Sequence, residues 1–417
     1  MNSLSQLAER FGTPLYVYRL DRVRRAAQDL LGALPRGARL YYSLKANPHP
    51  AVVRELSGLG LHLEISSPGE LAVAEQARHP AEHCLYTGPG KTAAEVSDAL
   101  KAGVRLFSVE SPTDLRRITE LSAAAGVGVD YLVRLNAQAA AVGTGLRMTG
   151  RSSQFGTDPD AALAAGMFDP APGARAAGAH LFSATNITDE QALLEEFRSV
   201  LHSALNTFEA AGITPSLIDL GGGFAAPFAA PGERPAYTGL RAVLEELLDG
   251  TVPRWREGEP RIAFESGRYL AADCGSLLTT VLDVKHSRGT TYVVLDAGVN
   301  VLGGMSGIGR LLTPAIQPTV EVDGAGGEGD LAEVTLVGPL CTPLDVLARA
   351  ARIPLPRVGD VLRIENTGAY GLSASLTGFL SRPAATEVVL GADDAEADVQ
   401  APQAAYVGCV VPGADGR

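Results

Sequence analysis

The sequence predicts an α/β protein built from a (β/α)8 TIM barrel and a C-terminal β domain. Eight short apolar runs rich in Val, Ile, Leu, Phe and Tyr alternate with helical segments through the first two thirds of the chain. Residues suited to chemistry fall at the C-terminal ends of most of these runs, where such a barrel gathers its active site. After residue 272 the texture changes to short strands joined by Gly, Pro and Asp turns. An open doubly wound sheet is the competing arrangement; strand number and length favour the barrel.

The runs are "ARLYYSLKAN" (38–47), "LHLEISS" (61–67), "HCLYTGPG" (83–90), "VRLFSVES" (104–111), "VDYLVRLN" (129–136), "GAHLFSATN" (178–186), "SLIDLGGGF" (216–224) and "RIAFESGRYL" (261–270). Between them lie helical segments such as "HPAVVRELSGLG", "SPGELAVAEQARHP", "TAAEVSDALKAG", "SPTDLRRITELSAAAG" and "TDEQALLEEFRSVLHSALNTFEAAG". Three of these open on a capping residue: Ser67 before Pro68, Ser111 before Pro112, and Thr188 before Asp189. This divides the chain into a barrel over 22–272 and a β domain from 1–21 and 273–417. The stretches "GAGGEGD" (324–330) and "GADDAEADVQAPQ" (391–403) read as surface loops without a function.

Composition bounds the function. The 417 residues are 46% hydrophobic, enough for a large core, and a formal charge of -12, from 47 acidic against 35 basic residues, argues against nucleic acid or acidic lipid as a partner. Cys84, Cys274, Cys341 and Cys409 lie far apart and share no metal-ligand spacing with the seven histidines, so neither a disulfide scaffold nor a metal site is expected. No stretch reaches the roughly 18 apolar residues of a membrane span, and the N-terminus lacks a signal-like apolar segment. A cytoplasmic protein is expected.

Three signals carry the chemistry. Lys45 ends the first run, where an ammonium group is costly. It either pairs with a carboxylate such as Glu64 or Glu265, or is a desolvated lysine of lowered pKa that forms an imine with a carbonyl compound. Gly221, Gly222 and Gly223 end the seventh run, where backbone amides can approach an anion; a plain tight turn is the alternative. The pattern is neither a dinucleotide fingerprint nor a Walker loop. Glu265 and Arg268 end the eighth run, either as a local ion pair or as a ring-nitrogen partner and a phosphate clamp. A barrel brings runs seven, eight and one together, and a phosphate site, an imine-forming lysine and a carboxylate for a pyridine nitrogen together describe pyridoxal 5′-phosphate. His180 ends the sixth run, as an imidazole stacked on the ring or as a structural histidine.

In this order, "FGTPLYVY", "YYSLKANPHP", "LEISSPGEL", "SQFG", "AHLFS", "LGGGF", "ESGR", "GPLCTPLDVL" and "GAYGLSASLTGFLSRPAATEVVL" span nearly the whole chain. With these blocks the sequence resembles the fold-type III pyridoxal-phosphate decarboxylases, diaminopimelate decarboxylase above all, with ornithine and arginine decarboxylases as related members. The resemblance implies a homodimer with shared active sites. It makes Lys45 the lysine that carries the cofactor and His180 the stacked histidine. Glu265 becomes the partner of the ring nitrogen, and Ser183, Gly221, Gly222, Gly223, Arg268 and Tyr370 become phosphate contacts. Cys341 matches a cysteine that the partner subunit supplies to reprotonate the product.

The pattern departs from the family at the substrate end. Thr342 stands where an Asp or Glu commonly receives the substrate's distal amine, with Asp345 as a partial substitute. The stretch 296–318 lacks the R-P-x-x-Y arrangement, and Arg310 is shifted among glycines. Ser266 replaces the proline of E-P-G-R. These departures point to a specialised or conjugated amino acid, carrier-linked or citrate-linked, of a siderophore or antibiotic pathway. Authentic meso-diaminopimelate decarboxylation, an amino-acid racemase and a non-catalytic homologue are the other readings, and Glu265 counts against the racemase.

Overall fold

The computed structural model describes residues 3–136, 146–147, 153–303, 316–321, 330–391 and 396–400. Eight parallel strands close into a barrel: β2 (Arg39–Ser43), β3 (His62–Ile65), β4 (Cys84–Tyr86), β5 (Leu106–Val109), β6 (Val129–Leu135), β7 (Ala174–Leu181), β8 (Leu217–Asp219) and β9 (Arg261–Ser266). Seven of them lie within one of the eight apolar runs, β7 starts four residues ahead of its run at 178–186, and β9 pairs with β2 to complete the ring. Helices separate the strands, among them α3 (Pro50–Gly58), α4 (Pro68–Gln76), α5 (Ala93–Ala102), α6 (Pro112–Ala125) and α8 (Glu190–Ala211). Ser67 accepts from the Glu70 amide and Ser111 from the Asp114 amide, each ahead of a proline at the first helical turn. For α8 the cap is Asp189, which accepts from the Ala192 amide, one residue beyond the expected Thr188.

The barrel interior has two chemically distinct levels. Tyr41, Leu85, Leu132, Ala177, Leu217 and Ala263 form an apolar cluster inside it. At the C-terminal ends of the strands stand polar groups: Glu64, His180, Asp219 and Glu265, all buried. Alternation along a strand explains the change. Leu217 and Asp219 share one face of β8, as Ala263 and Glu265 share one face of β9. In β7 the register steps, so that Ala176 faces Tyr131 of β6 but Gly178 faces Leu132, and Ala177 is the extra residue. This bulge lets Ala177 join the apolar cluster while His180 still turns inward.

A nine-stranded mixed sheet forms the second unit. β1 (Leu15–Arg19) lies inside it, antiparallel to β10 (Gly275–Ser287) and parallel to a strand at Thr386–Leu390. The last strand, Glu396–Gln400, falls in the segment expected to be a loop; it pairs with Thr386–Leu390 and covers that edge. The second unit meets the barrel beside Lys45. The Tyr370 amide donates to the Ala46 carbonyl at 2.7 Å, and Asn47 Nδ2 donates to the Gly368 carbonyl at 2.8 Å. No helix among the described residues is long and apolar enough to cross a membrane.

Gly178 is where β7 and β8 come closest. A Cβ built there would lie 1.8 Å from the Leu217 carbonyl oxygen, which backbone cannot accommodate without moving. Gly178→Ala should therefore destabilise the protein by about 3 kcal/mol or more, or prevent soluble folding; a denaturation midpoint equal to wild type would show that the strands can part.

Candidate active site

Lys45 sits on a 3-10 turn, Leu44–Ala46, directly after β2. Its ammonium group faces the barrel mouth with 45% of the side chain exposed, and its Nζ is 3.3 Å from the buried Glu64 carboxylate on the neighbouring strand. Thr87 Oγ1 donates a second hydrogen bond to Glu64, at 2.5 Å. Burial works against the charge on both partners, yet each outweighs it for the other. Glu64 comes down to about 2, helped by the Ser43 and Thr87 hydroxyls. Lys45 is held above its ordinary value, chiefly by Glu64. The expected lowering of the Lys45 pKa is thus reversed, because a buried carboxylate stands within ion-pair distance.

His180 Nε2 is 3.2 Å from Glu265 Oε1, and both side chains are sealed from water. The two atoms meet as an ion pair without hydrogen-bond alignment, so each keeps unfilled bonding capacity. Ser108 Oγ lies 2.8 Å from His180 Nδ1 and fixes the other side of the ring. Burial opposes a charge on His180, but Glu265 outweighs it and holds the imidazole above its usual pKa. Asp219, paired with His180 across β7 and β8, was not singled out by the sequence reading. Its side-chain oxygens, those of Glu265 and the His180 ring include atoms all within 4.8 Å of one another.

The glycine run wraps over this layer. A Cβ on Gly221 would lie 2.2 Å from the Leu181 carbonyl oxygen, and one on Gly222 would lie 2.4 Å from that of Glu265. The Gly221 amide donates to Asp219 Oδ1 at 2.9 Å, so it serves the carboxylate rather than an external anion. Among the described residues the Gly222 and Gly223 amides make no hydrogen bond within the protein, and they remain for a ligand. Arg268 follows on α10 (Arg268–Ala271), buried, with Nε lacking a partner and its guanidinium 5.0 Å from the centre of the Tyr370 ring. Ser183 is buried just past β7. Tyr370 holds a positive φ of 57°, a strained setting for a tyrosine that its bond to Ala46 helps to fix.

Other expected residues lie apart. Cys341 is exposed on a loop of the β domain, and no contact of Cys341, Thr342 or Asp345 among the described residues reaches Lys45, His180, Glu265 or Arg268. Asp345 does not substitute for a substrate-binding carboxylate at position 342. It is 3% exposed, and its two oxygens accept from the Val299 amide at 2.8 Å and the Leu340 amide at 2.7 Å. It therefore braces the loop that carries Cys341. Arg310 lies outside the described residues. Sequence reasoning also missed Arg134 and Glu110, a buried pair at 2.8 Å; Glu110 accepts from the Gly156 amide of the "SQFG" loop, and the Phe155 ring lies 4.8 Å from the Arg134 guanidinium.

A lysine at the mouth, a glycine cradle with free amides, a buried arginine and an unsatisfied carboxylate–imidazole pair are the groups that pyridoxal phosphate requires. The barrel and its appended β domain thus define a pyridoxal-phosphate enzyme of the fold-type III class. Residues 20–272 match the family model described as "Pyridoxal-dependent decarboxylase, pyridoxal binding domain". The chain is 30% identical to L-glutamyl-[BtrI acyl-carrier protein] decarboxylase of Niallia circulans, covering 93% of this chain and 90% of that protein. It is 28% identical to diaminopimelate decarboxylase of Zymomonas mobilis, again over 93% and 90%. Diaminopimelate decarboxylase from Helicobacter pylori, complexed with L-lysine, superposes with a TM-score of 0.81 at 25% identity, covering 95% of each chain. The chain belongs to the pyridoxal-dependent decarboxylase family and is a pyridoxal-phosphate-dependent amino-acid decarboxylase.

The Lys45–Glu64 pair has a testable consequence. Glu64→Gln removes the charge that outweighs burial, so the pH at which Lys45 of the cofactor-free protein becomes reactive toward an amine-acylating reagent should move down. Site-resolved mass spectrometry across pH reads this, and an unchanged profile would remove Glu64 from the account.

Proposed function

We propose that this decarboxylase acts on an α-amino acid whose far end carries no free ammonium group, in conjugated form and in a specialised siderophore- or antibiotic-type pathway. One observation carries the reading: the loop behind Cys341 presents no free carboxylate, since Thr342 is neutral and Asp345 is spent on two backbone amides. The similarity to an enzyme named for a glutamyl group on an acyl-carrier protein supports it. The second reading, meso-diaminopimelate decarboxylation, is favoured by the diaminopimelate decarboxylases among the relatives. Glu265 at the ring-nitrogen position argues against racemisation, which needs a weaker electron sink.

In the mechanism proposed, the bound cofactor supplies an electron sink for the pair left behind when the bond from Cα to the carboxylate breaks. Lys45 would anchor it, and Glu64 would hold the lysine ammonium group whenever Lys45 is free of the cofactor. Gly222, Gly223, Ser183, Arg268 and Tyr370 bind its phosphate end, where unpaired amides and a buried guanidinium offer donors. Glu265 would face the ring nitrogen and His180 would stack on the ring, with Ser108 orienting the imidazole. Cys341, exposed on its loop, would reach the site of a second copy and return the proton to Cα. A barrel unit over 22–272 and a homodimer belong to the same proposal.

Purified protein should be yellow, with a visible band that borohydride bleaches, and Lys45→Ala should abolish the band; a Lys45→Ala protein that keeps it would overturn the role of Lys45. Carbon dioxide release should then be compared across diaminopimelate, lysine, ornithine, arginine, glutamate, and citryl- or carrier-linked amino acids. A conjugated substrate should exceed meso-diaminopimelate by about tenfold or more in kcat/KM, the scale of one charge-assisted contact. Dominant activity on meso-diaminopimelate would reject the conjugated substrate.

A further inference from the structure

The roles proposed above leave Asp219 without a task. It ends β8 with its side chain fully buried; Oδ1 accepts from the Gly221 amide, and Oδ2 is sealed from water without a donor. Its neighbours in the same dry layer are Glu265 on β9 and His180 on β7. Glu64, paired to Lys45, flanks it from β3, Tyr41 acts on it from β2, and Arg134 on β6 lies beyond His180. Two carboxylates this close in a dry layer resist being charged together, and one imidazolium can balance one of them.

We propose that Asp219 is a positioning residue that sets the charge of the His180–Glu265 pair: protonated, it leaves Glu265 as the anion of the cluster, and ionised, it adds a second negative charge beneath the ring-nitrogen position. The proposal rests on the placement of Glu265 against the ring nitrogen. Burial first, and Glu265 second, raise the Asp219 carboxyl to about 7, against the lowering effects of His180 and the Gly221 amide. The folded protein therefore holds a proton that the unfolded chain has released, and the stability this gives is lost as pH rises toward 7. With cofactor bound, the charge gained at that point helps the ring nitrogen keep its own proton under alkaline conditions.

Asp219→Asn keeps an acceptor for the Gly221 amide and removes the titration. In the cofactor-free state, the difference in thermal midpoint, variant minus wild type, should grow from about pH 5 to about pH 8. In the holoenzyme, with cofactor isotopically labelled at the ring nitrogen, the variant should lose the ring proton at a pH lower by about one unit or more. Superimposable stability profiles, or identical ring titrations, would overturn the proposal. Glu265→Gln separates the two claims: if the ring titrates there as in wild type, the placement of Glu265 fails and the cofactor half of the proposal falls with it. If Asp219→Asn does not fold, infrared difference spectra of wild type between about pH 6 and pH 8 decide instead. Loss of a protonated-carboxyl band is expected, and its absence overturns the titration.

Discussion

Glu265 and His180 place an ion pair in a layer of the barrel that water does not reach, and the surrounding architecture answers the cost of that choice. Removing a charged group from water costs several kcal/mol, recovered only with a close counter-charge and further hydrogen bonds. The partner sits at 3.2 Å, and Ser108 holds the far side of the ring. The β7 bulge turns His180 inward, and the glycine run keeps side chains out of the space above Glu265. His180 Nε2 and Glu265 Oε1 have no hydrogen-bond partner, and the proposed ring-nitrogen contact would use the free capacity of Glu265.

Lys45 and Glu64 repeat this at the rim with a different outcome. Glu64 is buried while Lys45 is nearly half exposed, so when the lysine leaves, its own charge meets water and the Thr87 hydroxyl still donates to the carboxylate left behind. A lysine that must alternate between a covalent bond to cofactor and a free ammonium form needs such a resting place. The β domain secures the same point from outside through Tyr370 on the Ala46 carbonyl and Asn47 on the Gly368 carbonyl. Tyr370 and the Lys45 turn are thereby tied to one seam between the two units.

Most of the fold was legible because its signals are local. Strand runs, proline-primed caps and the glycine run each fit within about a dozen residues, and Lys45, Glu265 and Arg268 announce themselves at strand ends. What the sequence did not disclose depends on partners far along the chain. Ser108 is 72 residues from His180, whereas Glu64, 19 residues from Lys45, is one of the two carboxylates the sequence offers as its partner. Asp345 illustrates the hazard: three residues beyond Thr342 it looked like a spare carboxylate, and only the Val299 amide, 46 residues away, shows it to be structural. Asp219 had a usable sign, since strand alternation alone sets it inward with Leu217, but the adjacent glycines drew the attention. The strand at Glu396–Gln400 was hidden by an acidic, alanine-rich composition that suits a loop and was overridden by an open sheet edge.

The substrate end carries a different physical constraint from the cofactor end. A carboxylate at position 342 would offer an incoming ammonium group a charge-assisted hydrogen bond of about 1.5–3 kcal/mol, against about 0.5–1.5 kcal/mol for a threonine hydroxyl. An ammonium group brought to a neutral loop still loses part of its hydration, so the loop does not merely bind it less well. It makes an uncharged distal group comparatively cheap to accommodate. Because Asp345 ties the backbone at Leu340, directly before Cys341, to that at Val299, the proton-donating position proposed for Cys341 can stay constant while position 342 alters the charge presented to the substrate. On the proposed reading two residues in one loop divide the work: Asp345 holds the backbone beside Cys341, and position 342 is free to select among amino acids.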